Sequence, residues 1–264
     1  FHRGADPLHA APGFDASGAR AGGEWRVEAQ RLRWDILDAF AQAAQQAGIP
    51  ASSDFNRGDN EGVGYFEVNQ KAGVRWNATK GFLRPVRHRR NLDVWTGALI
   101  TRVSLEPTAN SGGETRRAIG IEMLRSVGTA PVQVRLPPSG GEVLLCTGAI
   151  GTPQLLQLSG IGPTELLREQ GLAIEHALPG VGENLQDHLQ IRAVFQVEGV
   201  KTLNTQAHSL WGKAMIALEY ALNRSGPMSM APSQLGAFTR SDAAQPHSNI
   251  EYHVQPLSLD AFGQ

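Results

Sequence analysis

Ile36, Leu37, Phe40, Ala41, Ala44 and Ala47 recur at helical spacing before Gly48 and Pro50 end the pattern, so an amphipathic helix is predicted within residues 26–47. Residues 52–64 follow as a polar, glycine-rich stretch with turn chemistry and no periodicity, predicted to be a surface crossing. From 92 to 145 the pattern shortens to β-type runs separated by turn residues: 92–95, 99–105, 118–124, 132–136 and 142–145. Three of these are expected to form a small antiparallel meander. The last, Glu142-Val143-Leu144-Leu145, is nearly all apolar, as a strand buried on both faces would be, with Cys146 as a packed thiol at its end.

Two short helices are predicted next. Thr152 and Pro153 open one over residues 154–158, closed by Ser159 and Gly160; Pro163 opens the other over 164–170, closed by Gly171. Beyond Asp187 the pattern turns to α+β, with strands expected at 191–197, 235–239 and 250–254. Between them a helix is expected over 209–222, where Leu210, Ala214, Leu218 and Ala221 or Leu222 share a face. There is no internal repeat, low-complexity tract or coiled-coil heptad.

Composition narrows the classes. The 264 residues, 41% hydrophobic and 19% charged, can bury one substantial core or two modest ones. A formal net charge of -1 gives no footprint for nucleic acid. No stretch approaches the roughly 20 apolar residues that cross a bilayer, so no transmembrane segment is expected. A single cysteine excludes an internal disulfide and a thiolate-only metal cluster.

The most informative stretch is Gly148-Ala149-Ile150-Gly151-Thr152-Pro153-Gln154-Leu155-Leu156-Gln157-Leu158-Ser159-Gly160-Ile161-Gly162. Gly148, Ala149 and Gly151 remove side-chain bulk at a strand's carboxyl end, and the helix start supplies free N–H groups and a positive dipole end. That combination suits the ribose and phosphate of a nucleotide. A glycine-rich strand-to-helix turn is also a packing device, and the residues alone leave both readings open.

The same stretch resembles the second signature of the glucose-methanol-choline oxidoreductases: small residues, Thr-Pro, paired aliphatics and Ser-Gly-Ile-Gly. Leu178-Pro179-Gly180-Val181-Gly182-Glu183-Asn184-Leu185-Gln186-Asp187-His188 is similar to the family's next landmark. Arg87-His88-Arg89-Arg90-Asn91-Leu92, followed by Thr96-Gly97-Ala98-Leu99-Ile100-Thr101-Arg102-Val103, resembles an upstream segment. Asn249-Ile250-Glu251-Tyr252-His253-Val254-Gln255-Pro256 resembles a substrate-domain strand. The likeness covers almost the whole chain and is nearest to the choline-dehydrogenase-like branch.

What the resemblance implies is an α/β plus α+β protein: a partial FAD-binding Rossmann-like domain with part of a substrate-binding domain built on an antiparallel sheet. Residues 1–70 are then a linker and substrate-domain or cap segment, 71–190 an FAD-domain segment and 191–264 an incomplete substrate-domain segment. The expected cofactor is FAD, with the backbone at Ile100 near the adenine and Thr147, Gly148 and Ala149 near the adenosine ribose or the flavin. The expected reaction is hydride transfer from a primary alcohol, choline-like or aliphatic, to FAD and on to a quinone-type acceptor. An oxygen-reducing oxidase, a non-redox lyase and a non-catalytic module are the competing readings. The location implied is cytoplasmic or peripherally membrane-associated.

The family's opening G-x-G-x-x-G loop is expected upstream of Phe1, because Gly180-Val181-Gly182 lacks the third glycine. The catalytic histidine belongs to a motif expected beyond Gln264, so no catalytic residue is assigned within the chain. Gln234 and His253 are expected to face the substrate. Choline dehydrogenases align a glutamate at Gln234, so a neutral amide there implies weak or absent choline turnover. His2, His9, His88, His176, His208 and His247 lie in polar or turn contexts, and Asp187 and His188 are adjacent, which does not make an acid–base dyad. No histidine or carboxylate set has metal-site spacing, and no G-x-S-x-G elbow is present. Arg84, Arg87, His88, Arg89 and Arg90 are expected to form a solvated face.

Overall fold

The structure is a computed structural model that describes residues 24–258 except 57, 59, 111, 112 and 127. Its elements in chain order are α1 (Asp35–Gln46), β1 (Gly62–Tyr65), β2 (Gln70–Lys71), β3 (Val74–Arg75), β4 (Leu99–Asn110), β5 (Gly113–Leu124), β6 (Val132–Arg135), α2 (Gly148–Leu158), β7 (Ile161–Gly162), α3 (Thr164–Glu169), β8 (His176–Ala177), α4 (Leu203–Gln206), α5 (Leu210–Asn223), β9 (Leu235–Thr239) and β10 (Ile250–Val254). They divide into two compact units, one from Asp93 to Arg192 and one made of the residues on either side of it.

The flanking unit is built on a three-stranded antiparallel sheet in the order β1-β9-β10. Alternation sorts its faces. Val63 and Ala237 pair across β1 and β9, as do Tyr65 and Leu235, and α1 packs its Leu37 and Ala44 into the same core. Leu37 and Leu235 are each 0% exposed, and full burial of a leucine contributes about 1.5–3 kcal/mol.

The predicted helix begins at Asp35, not near residue 26. Trp34 holds an extended conformation as its N-cap, and Glu28 exchanges 2.9 Å backbone hydrogen bonds with Val68, which ties the preceding segment into extended pairing. The predicted crossing at 52–64 ends in a strand, because Gly62 and Gly64 are sheet residues. A Cβ on Gly64 would stand 2.1 Å from the Ser52 carbonyl oxygen. What looks like loop composition is therefore close packing.

The predicted α5 forms, with the Ser209 hydroxyl accepting from the Gly212 N–H and Arg224 ending it in a left-handed conformation at φ 52°. Its shared apolar face is exposed, Leu210 at 86%. The strand expected at 191–197 does not form. Ile191 is 92% exposed, and no described strand pairs with that segment.

The central unit holds the predicted meander, β4-β5-β6, all antiparallel, with register shifts between Ile100 and Arg102 and between Ser104 and Leu105. Residues 92–95 are irregular rather than strand. Val103 and Met123 are buried under it, and α2 packs on β4. Helices α2 and α3 form as predicted, α2 starting earlier, at Gly148 rather than 154, and β7 pairs with β8 in parallel. The apolar run 142–145 is not a strand: Leu144 is 79% exposed and Cys146 is exposed, not packed. A strand buried on both faces needs neighbours on both edges, and no described segment pairs with this one. The mixed α/β and α+β organisation that the sequence implies is present.

Candidate cofactor site

The glycine-rich stretch divides at its middle. Its opening is exposed. Thr147 stands at the N-cap position of α2 without a side-chain cap bond, Gly148 sits at φ +83°, and a Cβ built on Gly148 meets nothing within 4 Å. The hydroxyls of Thr147 and Thr152 lie 2.9 Å apart and close the first turn. Backbone N–H groups in the first turn of a helix have no intrahelical acceptor, so this end is a set of donors beside small residues. A cleft of about 470 Å³ runs along it, with Ala149, Ile150 and Pro153 on one side and Gly182, Asn184 and Gln186 on the other.

The closing half is turned into protein. Ser159 is 0% exposed. Its hydroxyl donates to the Leu155 carbonyl at 2.6 Å and accepts the Val103 N–H at 2.8 Å, joining α2 to β4. A Cβ on Gly160, at φ +81°, would stand 2.4 Å from the Ala173 carbonyl oxygen. Gln157 donates its side-chain amide to the Val181 carbonyl at 3.1 Å and so holds the 180–186 loop against the helix. Further along, Glu175 lies between two guanidinium groups, 3.4 Å from Arg102 and 3.1 Å from Arg116, and ties the approach to β8 to the meander.

Of the residues predicted near a cofactor, Thr147, Gly148 and Ala149 fall on this open turn. Ile100 is half-buried in β4, at the register shift beside Thr101. The Thr101 hydroxyl bonds the Glu122 carboxylate at 2.9 Å across that shift.

The two residues predicted to face a substrate belong to the other unit, Gln234 just before β9 and His253 in β10. Gln234 is fully buried. Its amide nitrogen points to the Leu32 carbonyl at 3.4 Å, its backbone carbonyl accepts the Gln30 amide at 2.7 Å, and its Oε1 has no partner among the described residues. His253 is exposed, and its Nε2 lies 2.8 Å from a carboxylate oxygen of Glu251. The His253 ring also lies 5.7 Å from Phe66, which belongs to a ring group with Phe55 and Phe238.

On the opposite face Arg33, Asp38 and Tyr65 form a polar cluster. Tyr65 donates to Asp38 at 3.0 Å and Arg33 pairs with Asp38 at 2.9 Å. Burial first, then the bond to Asp38, raises the Tyr65 phenol above its ordinary value. The hydrogen bond that Arg33 itself donates to Asp38 raises the guanidinium above its ordinary value.

The remaining candidates stay apart. His88, His176, His188, His208 and His247 are exposed, and His2 and His9 lie outside the described residues. Asp187 accepts the backbone N–H of His188 at 2.8 Å, a local turn rather than a dyad. Arg84, Arg87, Arg89 and Arg90 are exposed. Among the described residues no cluster of histidine, cysteine or carboxylate is arranged to hold a metal ion, and no helix is long and apolar enough to cross a membrane. Sequence reasoning missed Ser159 and Gln157 as scaffold residues. The only signal was a hydroxyl just past the end of α2 and an amide among the leucines of its last turns.

The model of the GMC oxidoreductases matches residues 19–190. An alcohol dehydrogenase [acceptor] of Pseudomonas putida is 36% identical over 87% of this chain and 40% of its own length. An oxygen-dependent choline dehydrogenase of Photobacterium profundum is 36% identical over 87% of this chain and 38% of its own. Among solved structures, an FAD-dependent oxidoreductase of Chaetomium thermophilum superposes with a TM-score of 0.71 at 24% identity, over 88% of this chain and 40% of that one. The chain thus spans about two-fifths of the length of the relatives it matches. A family model matched across well over half of the chain, and two relatives above a third identical, lead to one conclusion: the chain belongs to the GMC oxidoreductase family.

Proposed function

We propose that this chain is part of an FAD-dependent oxidoreductase that acts on CH–OH groups and passes a hydride from a primary alcohol to the flavin and then to a quinone-type acceptor. The observation that carries the proposal is the open turn at Thr147, Gly148 and Ala149, which lies inside the segment matched to the family. The fit is chemical as well as steric. Backbone donors at the start of α2, side-chain amides at Asn184 and Gln186 and the apolar Ile150 line one cleft, a mixture that suits a ribose and a flat heteroaromatic ring.

The residues assigned to hold the cofactor are Thr147, Gly148 and Ala149, with the backbone at Ile100 near the adenine. When bound, FAD supplies the hydride acceptor. The chain's own contribution is to admit the cofactor by backbone approach at Gly148 and to hold the β4 edge in register. Gln234 and His253 are assigned to the substrate side, and the histidine that removes the hydroxyl proton is assigned outside these 264 residues. The 71–190 segment is assigned to the FAD domain and the flanking segments to the linker and substrate domain, in a cytoplasmic or membrane-peripheral protein.

Gln234, a neutral amide buried beneath Leu32, stands where the resemblance expects a glutamate, so the reading favours a neutral aliphatic alcohol over choline. The oxygen-dependent relative supports oxygen as an alternative final acceptor. The test is anaerobic addition of alcohols to the longest natural form of the protein while its absorbance is followed. Flavin bands that bleach with aliphatic alcohols and hardly with choline support the reading. Rapid bleaching by choline overturns the substrate assignment, and flavin bands that no alcohol bleaches overturn the reaction. Dye reduction against oxygen consumption then separates the acceptors.

A further inference from the structure

Among the described residues, the edge of the meander next to α2 has no strand beside it. In β4, the outermost strand of the sheet, the Val103 N–H points away from β5 and would be an unpaired donor in a residue that is itself buried. The Ser159 hydroxyl accepts that N–H at 2.8 Å and donates its own hydrogen bond to the Leu155 carbonyl at 2.6 Å, one turn back along α2. A fully buried hydroxyl with both capacities used bridges two elements 56 residues apart. An alanine there leaves a buried N–H without a partner. Gln157 on the same helix holds the 180–186 loop through the Val181 carbonyl.

We propose that Ser159 is a positioning residue for the cofactor: it locks the β4 backbone at residues 100–103 to the helix that opens with Thr147, Gly148 and Ala149, so that the adenine-side and ribose-side segments are held as one body. The inference rests on the cofactor reading given above. It assigns Ser159 no contact with the cofactor.

Two measurements test it. The first is residue-resolved hydrogen exchange on the longest natural form of the protein without cofactor. Ser159→Ala is expected to speed exchange of the Val103 amide at least roughly tenfold and to loosen 100–103 together with α2. Exchange unchanged at Val103 overturns the bridge.

The second is FAD affinity in the longest natural form, with Leu167→Ala as a control that empties a buried site under α3 and leaves the bridge intact. Ser159→Ala is expected to weaken FAD binding roughly tenfold, the size of one lost buried hydrogen bond, and Leu167→Ala by much less despite its lower unfolding midpoint. Equal losses for the two variants overturn the positioning role and leave the cofactor reading standing. Failure of the wild type to take up FAD overturns both.

Discussion

The opening and the closing of the helical stretch from 147 to 162 use the same residue types for opposite ends. Gly148 and Gly160 both adopt positive φ, +83° and +81°, and both follow a hydroxyl residue. Around Gly148 there is open space; around Gly160 there is the Ala173 carbonyl and the Glu175 side chain. One absent Cβ leaves room for a ligand and the other leaves room for protein. Sequence context alone does not separate these cases, because the neighbour that decides lies 13 residues away at Ala173 or outside the polypeptide altogether. A second pair makes the same point for strands. Leu235 in β9 and Leu144 before α2 sit in equally apolar runs, yet Leu235 has β1 and β10 on its two sides and Leu144 has no described neighbour strand.

The strand pair gives the largest expected contrast. Leu235→Ala should cost about 2–5 kcal/mol, as for a fully buried leucine, whereas Leu144→Ala should stay within roughly 0.5 kcal/mol. Urea unfolding of the two variants measures both, and similar losses would mean that residues 142–145 are as enclosed as β9.

The glycine pair comes next. Gly160→Ala meets backbone strain and a carbonyl at once and should cost roughly 2–4 kcal/mol. Gly148→Ala meets only the strain and should cost about 1 kcal/mol. Equal costs in the same unfolding assay would erase the division between the halves.

A smaller effect concerns the sheet face that packs on α1. The Tyr65 phenol is raised by burial and by its bond to Asp38. A folded-state value above the unfolded one stabilises the protein below about pH 10 and loses that contribution as pH rises through the folded value. Because Tyr65 is partly solvated, the swing should be under about 1 kcal/mol. Unfolding midpoints from pH 8 to 11 should therefore fall more steeply for the wild type than for Tyr65→Phe.

Smallest of all is the exposed Arg168–Glu165 pair, 2.6 Å apart on α3. Its loss in Glu165→Gln should change stability by no more than about 0.5 kcal/mol, and a larger change in thermal midpoint would show that α3 depends on more than the burial of Leu167.

What could be read from the sequence follows the range of the interactions involved. Helices α1 and α5, the meander, β9 and β10 are written in local periodicity and turn residues, and each is present. The strands expected at 142–145 and 191–197 are not, because a strand needs edges to pair with and apolar alternation cannot supply them. β1 was hidden because Gly62 and Gly64 have loop composition but serve close approach to residues 50–52. At the site, the small residues of 147–151 were visible as a place where backbone is open. The scaffold role of Ser159 was not, since its partner Val103 lies 56 positions away. Gln234 was visible only through family likeness, and its burial under Leu32 and Gln30 depends on contacts about 200 residues apart.

The most direct test of the account is an FAD titration of the longest natural form of the protein, wild type against Gly148→Val, followed by flavin absorbance. The open turn predicts that a branched side chain at Gly148 weakens FAD by roughly tenfold or more, beyond any change in unfolding midpoint. Unaltered affinity in a folded Gly148→Val protein would contradict it and move the cofactor away from the start of α2.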